Sequence, residues 1–152
     1  MQVVHKDPFA VVGILVEGTW DELPTKMRAA WQTFFDRVSA IPHQVGEYAL
    51  DISVSEDNGV YTQLICKEVS RVEEVPSGMV AREIPAGQYV YYRHQGDVTQ
   101  IAESFGKMYE WAAAEGYMAL DFKIDNGYTT QGDEMKHDLY LAIHNPGLET
   151  WD

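Results

Sequence analysis

The pattern of apolar positions in the first half of the chain predicts a strand, a helix and a hairpin. Residues 9–17 form a continuous apolar run rich in Val and Ile, which is typical of a buried strand. Over residues 23–41 the apolar positions recur every three or four residues, which predicts a helix that Pro42 ends. Residues 48–54 and 60–69 predict two strands joined by an Asn-Gly turn.

The second half of the chain repeats this order of elements. The predicted elements are strands at 79–84 and 88–94, a helix at 98–115, and strands at 119–124 and 137–144. Pro85 bends the chain between the first two strands, and Gly116 is a suitable residue to end the helix. Residues 125–135 are interpreted as a polar loop.

These elements predict a duplicated β-α-β-β unit, with pseudo-repeats at about 9–75 and 79–145. Gly18 and Gly96 each close a strand before a helix, and they lie 78 positions apart (96 − 18). Neither repeat has enough helix to cover both faces of its strands. We therefore expect one α+β domain over 1–152, an antiparallel sheet with two helices on one face and a ligand cleft on the other.

The alternation of side chains along each strand predicts which residues face away from the helices. The apolar row that begins at Val12 is expected to face the helices. In the final strands an offset of 77 matches Leu64 to Leu141 (141 − 64) and assigns both to the helix side. Ile65 then falls on the helix-free face. The other residues predicted on that face are Tyr61, Gln63, Tyr89, Tyr91, Asp138 and Tyr140.

The charge of the chain favours a cationic small molecule as its partner. Among 152 residues there are 24 acidic and 11 basic side chains, which gives a formal net charge of −13. Such a charge argues against binding to nucleic acid or to an anionic membrane surface. Aromatic rings around one carboxylate, as predicted for Asp138, suit an organic cation. Tyrosines that merely line a wet sheet face would give the same pattern.

Other chemistry has little support in the sequence. Cys66 is the only cysteine and lies in an apolar run, so we interpret it as a buried side chain. The five histidines lack the spacing of a metal site, and no phosphate loop or nucleophile elbow occurs, so no cofactor is expected. With neither a signal peptide nor a run long enough to span a bilayer, the expected location is the cytoplasm.

Three segments resemble a known family. The first is Ile84-Pro85-Ala86-Gly87-Gln88-Tyr89, which leads to His94-Gln95-Gly96. The second is Met108-Tyr109-Glu110-Trp111, followed by Glu115-Gly116-Tyr117. The third is the final run from His137 to Ile143. Their order and spacing resemble the GyrI-like small-molecule-binding domain, the effector-binding domain of AraC-type and MerR-type multidrug regulators. The resemblance covers the chain from about Phe9 to His144.

The resemblance implies a cleft between the two repeats that binds lipophilic cations. It assigns ligand contacts to Asp138 and Trp111, and also to Tyr89. Three features depart from the family pattern. Asp138 stands where the family usually has Glu, Ala142 stands where it often has Pro, and residues 121–125 replace the aromatic run usual after the second-half strand. The shorter acid leaves room for Glu134 or Asp125 to share the charge. The flanking residues hold no helix-turn-helix, which predicts a stand-alone effector-binding protein of the kind linked to transcription regulation.

Two other functions remain open at this point. Some members of the resembling family are hydrolases of reactive cyclopropane-bearing toxins, and an acid within an aromatic cage suits that chemistry too. Others act on a protein partner, such as gyrase or a regulator, although no partner patch is visible in this sequence. The sequence therefore favours a binding protein over an enzyme and predicts its ligand site at Asp138, Trp111, Tyr89, Tyr91, Tyr61 and Tyr140.

Overall fold

A computed structural model of the chain describes residues 1–132 and 134–144. Two β-α-β-β repeats are present, as predicted, and each is preceded by one additional strand. The elements are β1 (Gln2–Lys6), β2 (Phe9–Thr19), α1 (Leu23–Arg37), β3 (Ala49–Asp57), β4 (Val60–Val69), β5 (Val80–Ile84), β6 (Gly87–Gln95), α2 (Ile101–Ala114), β7 (Met118–Tyr128) and β8 (Lys136–His144). Short 3-10 turns follow α1 at Val38–Ala40 and precede α2 at Val98–Gln100.

All eight strands form one antiparallel sheet, in the order β1-β6-β8-β7-β3-β4-β2-β5. The two repeats meet at β7 and β3 in the centre. One row of side chains that share a face runs through Val90, Leu141, Lys123, Ser53, Gln63 and Val16. This is the face that carries the helices, as the α+β prediction required.

Each helix packs its apolar stripe on its own repeat. Pro24 stands in the first turn of α1, where its missing N–H is not needed, and Phe34 lies fully buried against Val12 and Ile65. Met108 of α2 is likewise fully buried among β6 and β8 side chains. Burial of a side chain of this size contributes about 1.5–3 kcal/mol. No helix among the described residues is long and apolar enough to span a bilayer.

The sheet is strongly curved towards its helix-free face. Strand β5 lies at one end of the sheet and β6 near the other, yet only Pro85 and Ala86 connect them. Three Cα steps reach at most about 11 Å, so the two ends must approach each other. A second apolar core fills the face that the sheet encloses. Its buried members are Val11, Leu50, Ile52, Leu64, Cys66, Ile84, Tyr89, Ile124 and Ala142.

The face predicted for part of β4 is wrong. Tyr61, Gln63 and Ile65 lie on the helix side, whereas Leu64 and Cys66 belong to the helix-free core. Ile65 pairs with Asp51 as Leu139 pairs with Asp125, so the true offset between these strands is 74 (139 − 65). The offset of 77 used in the prediction differs from it by three (77 − 74), and an odd error in register moves every side chain to the opposite face.

The end of one strand and the presence of another also differ from the prediction. Strand β7 continues to Tyr128, through residues that their polarity assigned to a loop. Strand β1 was not predicted at all, and it pairs with β6 through residues 2–6. Both segments take their conformation from a paired neighbour rather than from their own apolar pattern.

Candidate functional site

A groove between α1 and α2 is the main concave feature of the helix side. It consists of two adjoining cavities of about 610 Å³ and 660 Å³ that share four lining residues, Trp20, Leu23, Met27 and Asp51. Residues of α1 form one wall, residues of α2 form the other, and the central strands form the floor. The sequence placed the cleft on the helix-free face. A separate cavity of about 570 Å³ does lie on that side, around Pro85, and its lining is largely apolar.

Two carboxylates lie at the centre of the groove floor. Asp51 on β3 and Asp125 on β7 pair directly across the junction of the two repeats. Gln63 donates from Nε2 to Oδ1 of Asp51 at 2.9 Å. His137, the structural counterpart of Gln63 in the second repeat, places Nδ1 at 2.7 Å from Oδ1 of Asp125. Each carboxylate is thus held from the next strand of its own repeat, and both face the cavity.

The two carboxylates differ in their hydrogen-bond partners, and the surroundings of Asp51 affect its protonation. Asp125 is 5% exposed and accepts a second hydrogen bond, at 2.6 Å, from the hydroxyl of Tyr128. Burial, followed by the neighbouring charge of Asp125, raises the pKa of Asp51 to about 7. Burial opposes protonation of His137, but the hydrogen bond to Asp125 and the negative charges of Asp125 and Glu134 together outweigh it and raise the pKa of the imidazole. The groove floor therefore gains negative charge as the pH passes through neutrality.

Aromatic side chains line the groove on both sides of these carboxylates. Trp20, which follows β2 and is 70% exposed, lies 5.7 Å from Tyr61 between ring centroids. Trp31 of α1 lies 4.7 Å from Tyr128. The opposite wall comes from α2, where the lining aromatic residues are Phe105 and Tyr109. Rings facing a cavity with a carboxylate floor form an environment suited to an apolar cation.

Four of the six residues predicted for the site lie together on the helix-free face. They are Tyr89, Tyr91, Asp138 and Tyr140. Asp138 accepts hydrogen bonds from the Tyr91 hydroxyl at 2.6 Å and from Nε of Arg93 at 3.1 Å. The ammonium of Lys6 lies 4.4 Å from the ring centroid of Tyr140. Arg93 is thus a permanently charged partner for this carboxylate.

The other two predicted residues, Tyr61 and Trp111, are separated from that group. Tyr61 lies on the opposite face and lines the groove, where it contacts Trp20. Trp111 stacks on Tyr117 at 6.3 Å and packs against the core beneath α2, and it is not among the groove-lining residues. The structure therefore brings Tyr61 to the groove and leaves Trp111 beside it.

Most groove residues were not identified from the sequence. Asp125 was named only as a substitute for Asp138, and Asp51, Trp20 and Tyr128 were not proposed. A signal for Asp51 does exist, because Asp51 and Ser53 alternate with Leu50, Ile52 and Val54 along β3. An acid inside such an alternation marks a strand with one face on a core and the other on a polar cavity.

Comparison with known proteins identifies the family. Residues 2–143 match Cass2, described as an integron-associated effector binding protein. The chain belongs to this family. Membership of the Cass2 family makes the chain an effector-binding domain that takes a small molecule, and it confirms the GyrI-like resemblance stated from the sequence.

Individual relatives agree with this assignment. Transcriptional regulator BrlR of Pseudomonas aeruginosa is 28% identical over 150 residues, which are 94% of this chain and 55% of that protein. The chain thus spans about half the length of this curated relative. The structure of SAV2435 bound to tetraphenylphosphonium has a TM-score of 0.74 at 10% identity and covers 94% of this chain and 93% of its own. An integron cassette protein of Vibrio cholerae has a TM-score of 0.67 at 12% identity, with coverage of 94% and 95%.

Proposed function

We propose that this Cass2-family protein binds lipophilic organic cations in the groove between α1 and α2. The observation that carries the proposal is the facing pair Asp51 and Asp125, which lie on the groove floor between aromatic walls. The pair supplies negative charge, and the rings supply apolar area for the ligand's substituents. Asp51, Asp125, Trp20 and Tyr61 are the proposed ligand contacts.

The physical argument is that charge and apolar contact act on the same ligand. The attraction between a cation and a carboxylate grows as the dielectric falls, so the buried Asp125 and the partly buried Asp51 attract a cation more strongly than surface acids do. Ring faces add about 0.5–2 kcal/mol for each well-placed cation. The net charge of −13 raises the local concentration of cations before they dock. The tetraphenylphosphonium bound by SAV2435, a protein of the same fold, supports this ligand class.

The test compares two ions of the same shape and opposite charge. Titration calorimetry with tetraphenylphosphonium is expected to show saturable binding, whereas tetraphenylborate is expected to show none. At a concentration of about 100 times its Kd, the cation should add roughly 2.7 kcal/mol to the free energy of unfolding. Equal binding of both ions, or binding of the borate alone, would contradict the proposal.

Other expectations remain predictions. Asp138 remains a candidate contact on the helix-free face, and the variants described in the Discussion test it. Hydrolysis of a cyclopropane-bearing electrophile also remains a prediction, and product analysis after incubation with the protein would reveal it. A gel shift at low salt, the condition most favourable to nucleic-acid binding, should show no retained DNA.

A further inference from the structure

One lysine, Lys123, is found among the described residues that line the groove. Lys123 lies on β7, where it pairs with Ser53 of β3 and is two positions from Asp125. The pairing of β7 with β8 is interrupted between Ala119 and Lys123. Irregularities of this kind redirect side chains and occur often beside functional sites. Lys123 is half-buried and lines the cavity on the α2 side.

The ammonium of Lys123 lies against the rings of the α2 wall. Its Nζ atom is 5.7 Å from the ring centroid of Tyr109 and 6.0 Å from that of Phe105. It also donates to the Tyr109 hydroxyl at 3.4 Å and to the carbonyl of Asp121 at 3.2 Å. Both ring distances fall within the range of a cation–π contact. Burial lowers the pKa of this ammonium, although the negative charges of Asp121 and Asp51 offset part of the effect.

The first repeat has no lysine at the equivalent position. With the offset of 74 that relates β3 to β7, the counterpart of Lys123 is Ala49 (123 − 49), a buried core residue. The two ends of the groove therefore differ in charge, although the folds around them are related. Among the described residues that line the groove, Lys123 on the α2 side is the one lysine or arginine.

We propose that Lys123 competes with the ligand for the cation site. Its ammonium contacts the rings of Phe105 and Tyr109 until a cationic ligand displaces it. The inference rests on the proposed function, because it concerns the same groove. Displacement of Lys123 reduces the net gain from binding, so only cations with enough apolar area to outweigh this loss bind tightly. Lys123 is thus the residue that restricts the groove to lipophilic cations and excludes small hydrophilic ones.

The first test measures ligand affinity in two charge variants. Lys123→Met keeps an unbranched side chain that is one atom shorter and removes its charge, and it is expected to raise the affinity for tetraphenylphosphonium by about tenfold. It should also create measurable binding of tetramethylammonium. Lys107→Met removes the same charge from an exposed position on α2 and should change affinity by less than about twofold. Unchanged or weaker affinity in Lys123→Met, or equal gains in both variants, would overturn the inference.

The second test needs no ligand and separates this inference from the proposed function. Reductive methylation with carbon-13 labels each lysine ammonium, and the Lys123 methyl signal, assigned with Lys123→Met, should be shifted upfield by the two rings. Tetraphenylphosphonium should return that signal to the position of exposed lysines. An unshifted signal in the free protein would overturn the inference even if the cation binds. A shifted signal with no cation binding would instead refute the proposed function, and with it the role of Lys123 as competitor.

Discussion

At the scale of single residues, the groove floor holds two carboxylates of unequal character. Asp125 has two hydrogen-bond partners, His137 and Tyr128, whereas Asp51 has Gln63. Burial and the negative charge of Asp125 raise the pKa of Asp51 to about 7, and its single hydrogen bond from Gln63 offsets only part of this rise. A bound cation stabilises the ionised form, so an organic cation and a proton compete for Asp51.

Replacement of Asp51 tests whether its charge binds the ligand. Asp51→Asn keeps the oxygen that accepts from Gln63 and removes the charge. The affinity for tetraphenylphosphonium is expected to fall at least about tenfold, which is 1.4 kcal/mol. Calorimetric titration of the variant and the wild type at pH 8 measures the difference.

The matched control for this variant is Asp138→Asn on the helix-free face. Because Asp138 is paired with Arg93 and Tyr91, its replacement should leave cation affinity within about twofold of the wild type. A large loss in Asp138→Asn together with none in Asp51→Asn would move the site to the helix-free face, where the sequence first placed it.

The affinity for cations is expected to rise with pH across neutrality. Asp51 binds a proton below a pH of about 7, so the groove floor is less negative at pH 6 than at pH 8. The raised pKa of His137 acts in the same direction, since the imidazole also loses positive charge as the pH rises. Titrations of tetraphenylphosphonium at pH 6, 7 and 8 should show this increase and a release of protons on binding. A flat profile in the wild type, or an equally steep one in Asp51→Asn, would exclude Asp51 as the titrating contact.

The side-chain alternation predicted some of these residues and missed others for a definite reason. Tyr89, Tyr91 and Asp138 were placed on the correct face because the apolar row in each of their strands is continuous. Tyr61 was placed on the wrong face because β4 is buried on both sides, at Leu64 and Ile65 alike. When both faces of a strand are apolar, the alternation of side chains does not show which residues face the helices, so only the pairing of β4 with β3 decides it.

At the scale of elements, the tryptophan before α1 and the tryptophan within α2 have different roles. Trp20 precedes α1, is 70% exposed and lines both parts of the groove. Trp111 of α2 stacks on Tyr117 beside the core and is half-buried. We therefore expect Trp20 to contribute to ligand binding and Trp111 to contribute to stability.

Alanine variants of these two residues should give opposite results. Trp20→Ala is expected to weaken tetraphenylphosphonium binding by about fivefold or more, while the free energy of unfolding changes by less than about 0.5 kcal/mol. Trp111→Ala is expected to lower the free energy of unfolding by about 1–3 kcal/mol and to leave ligand affinity within about twofold. Urea denaturation and calorimetry measure the two quantities. If Trp111→Ala alone weakened binding, the ligand contact that the family resemblance assigned to Trp111 would be supported instead.

Helices and long apolar strands were predictable, whereas the end of β7 and strand β1 were not. The helices have a clear period of three to four, and their starts and ends carry Pro24 and Gly116. Residues 125–128 of β7 include Asp125, Asn126 and Gly127, which are poor strand formers. Their extended conformation depends on hydrogen bonds to β3 and β8, a tertiary effect that single-sequence patterns do not contain.

At the scale of the whole molecule, duplication produces the groove. The two repeats meet at β3 and β7, which puts Asp51 opposite Asp125 and leaves α1 and α2 on either side. The duplication was visible in the sequence. The curvature of the sheet was not visible in the sequence. It follows from the two-residue link between β5 and β6, which lie at distant positions in the sheet, and the sequence did not establish the strand order. The helix-free face is consequently filled largely by its own core, and the acidic, aromatic groove lies on the other side.

The central claim is that a lipophilic cation binds between α1 and α2, at the carboxylate pair. A crystal structure of the protein with tetraphenylarsonium tests it most directly, because the anomalous signal of arsenic locates the centre of the cation. We predict one strong peak in the groove, within about 6 Å of the Trp20 or Tyr61 ring and close to Asp51 and Asp125. A peak beside Asp138 on the helix-free face, with none in the groove, would contradict the account.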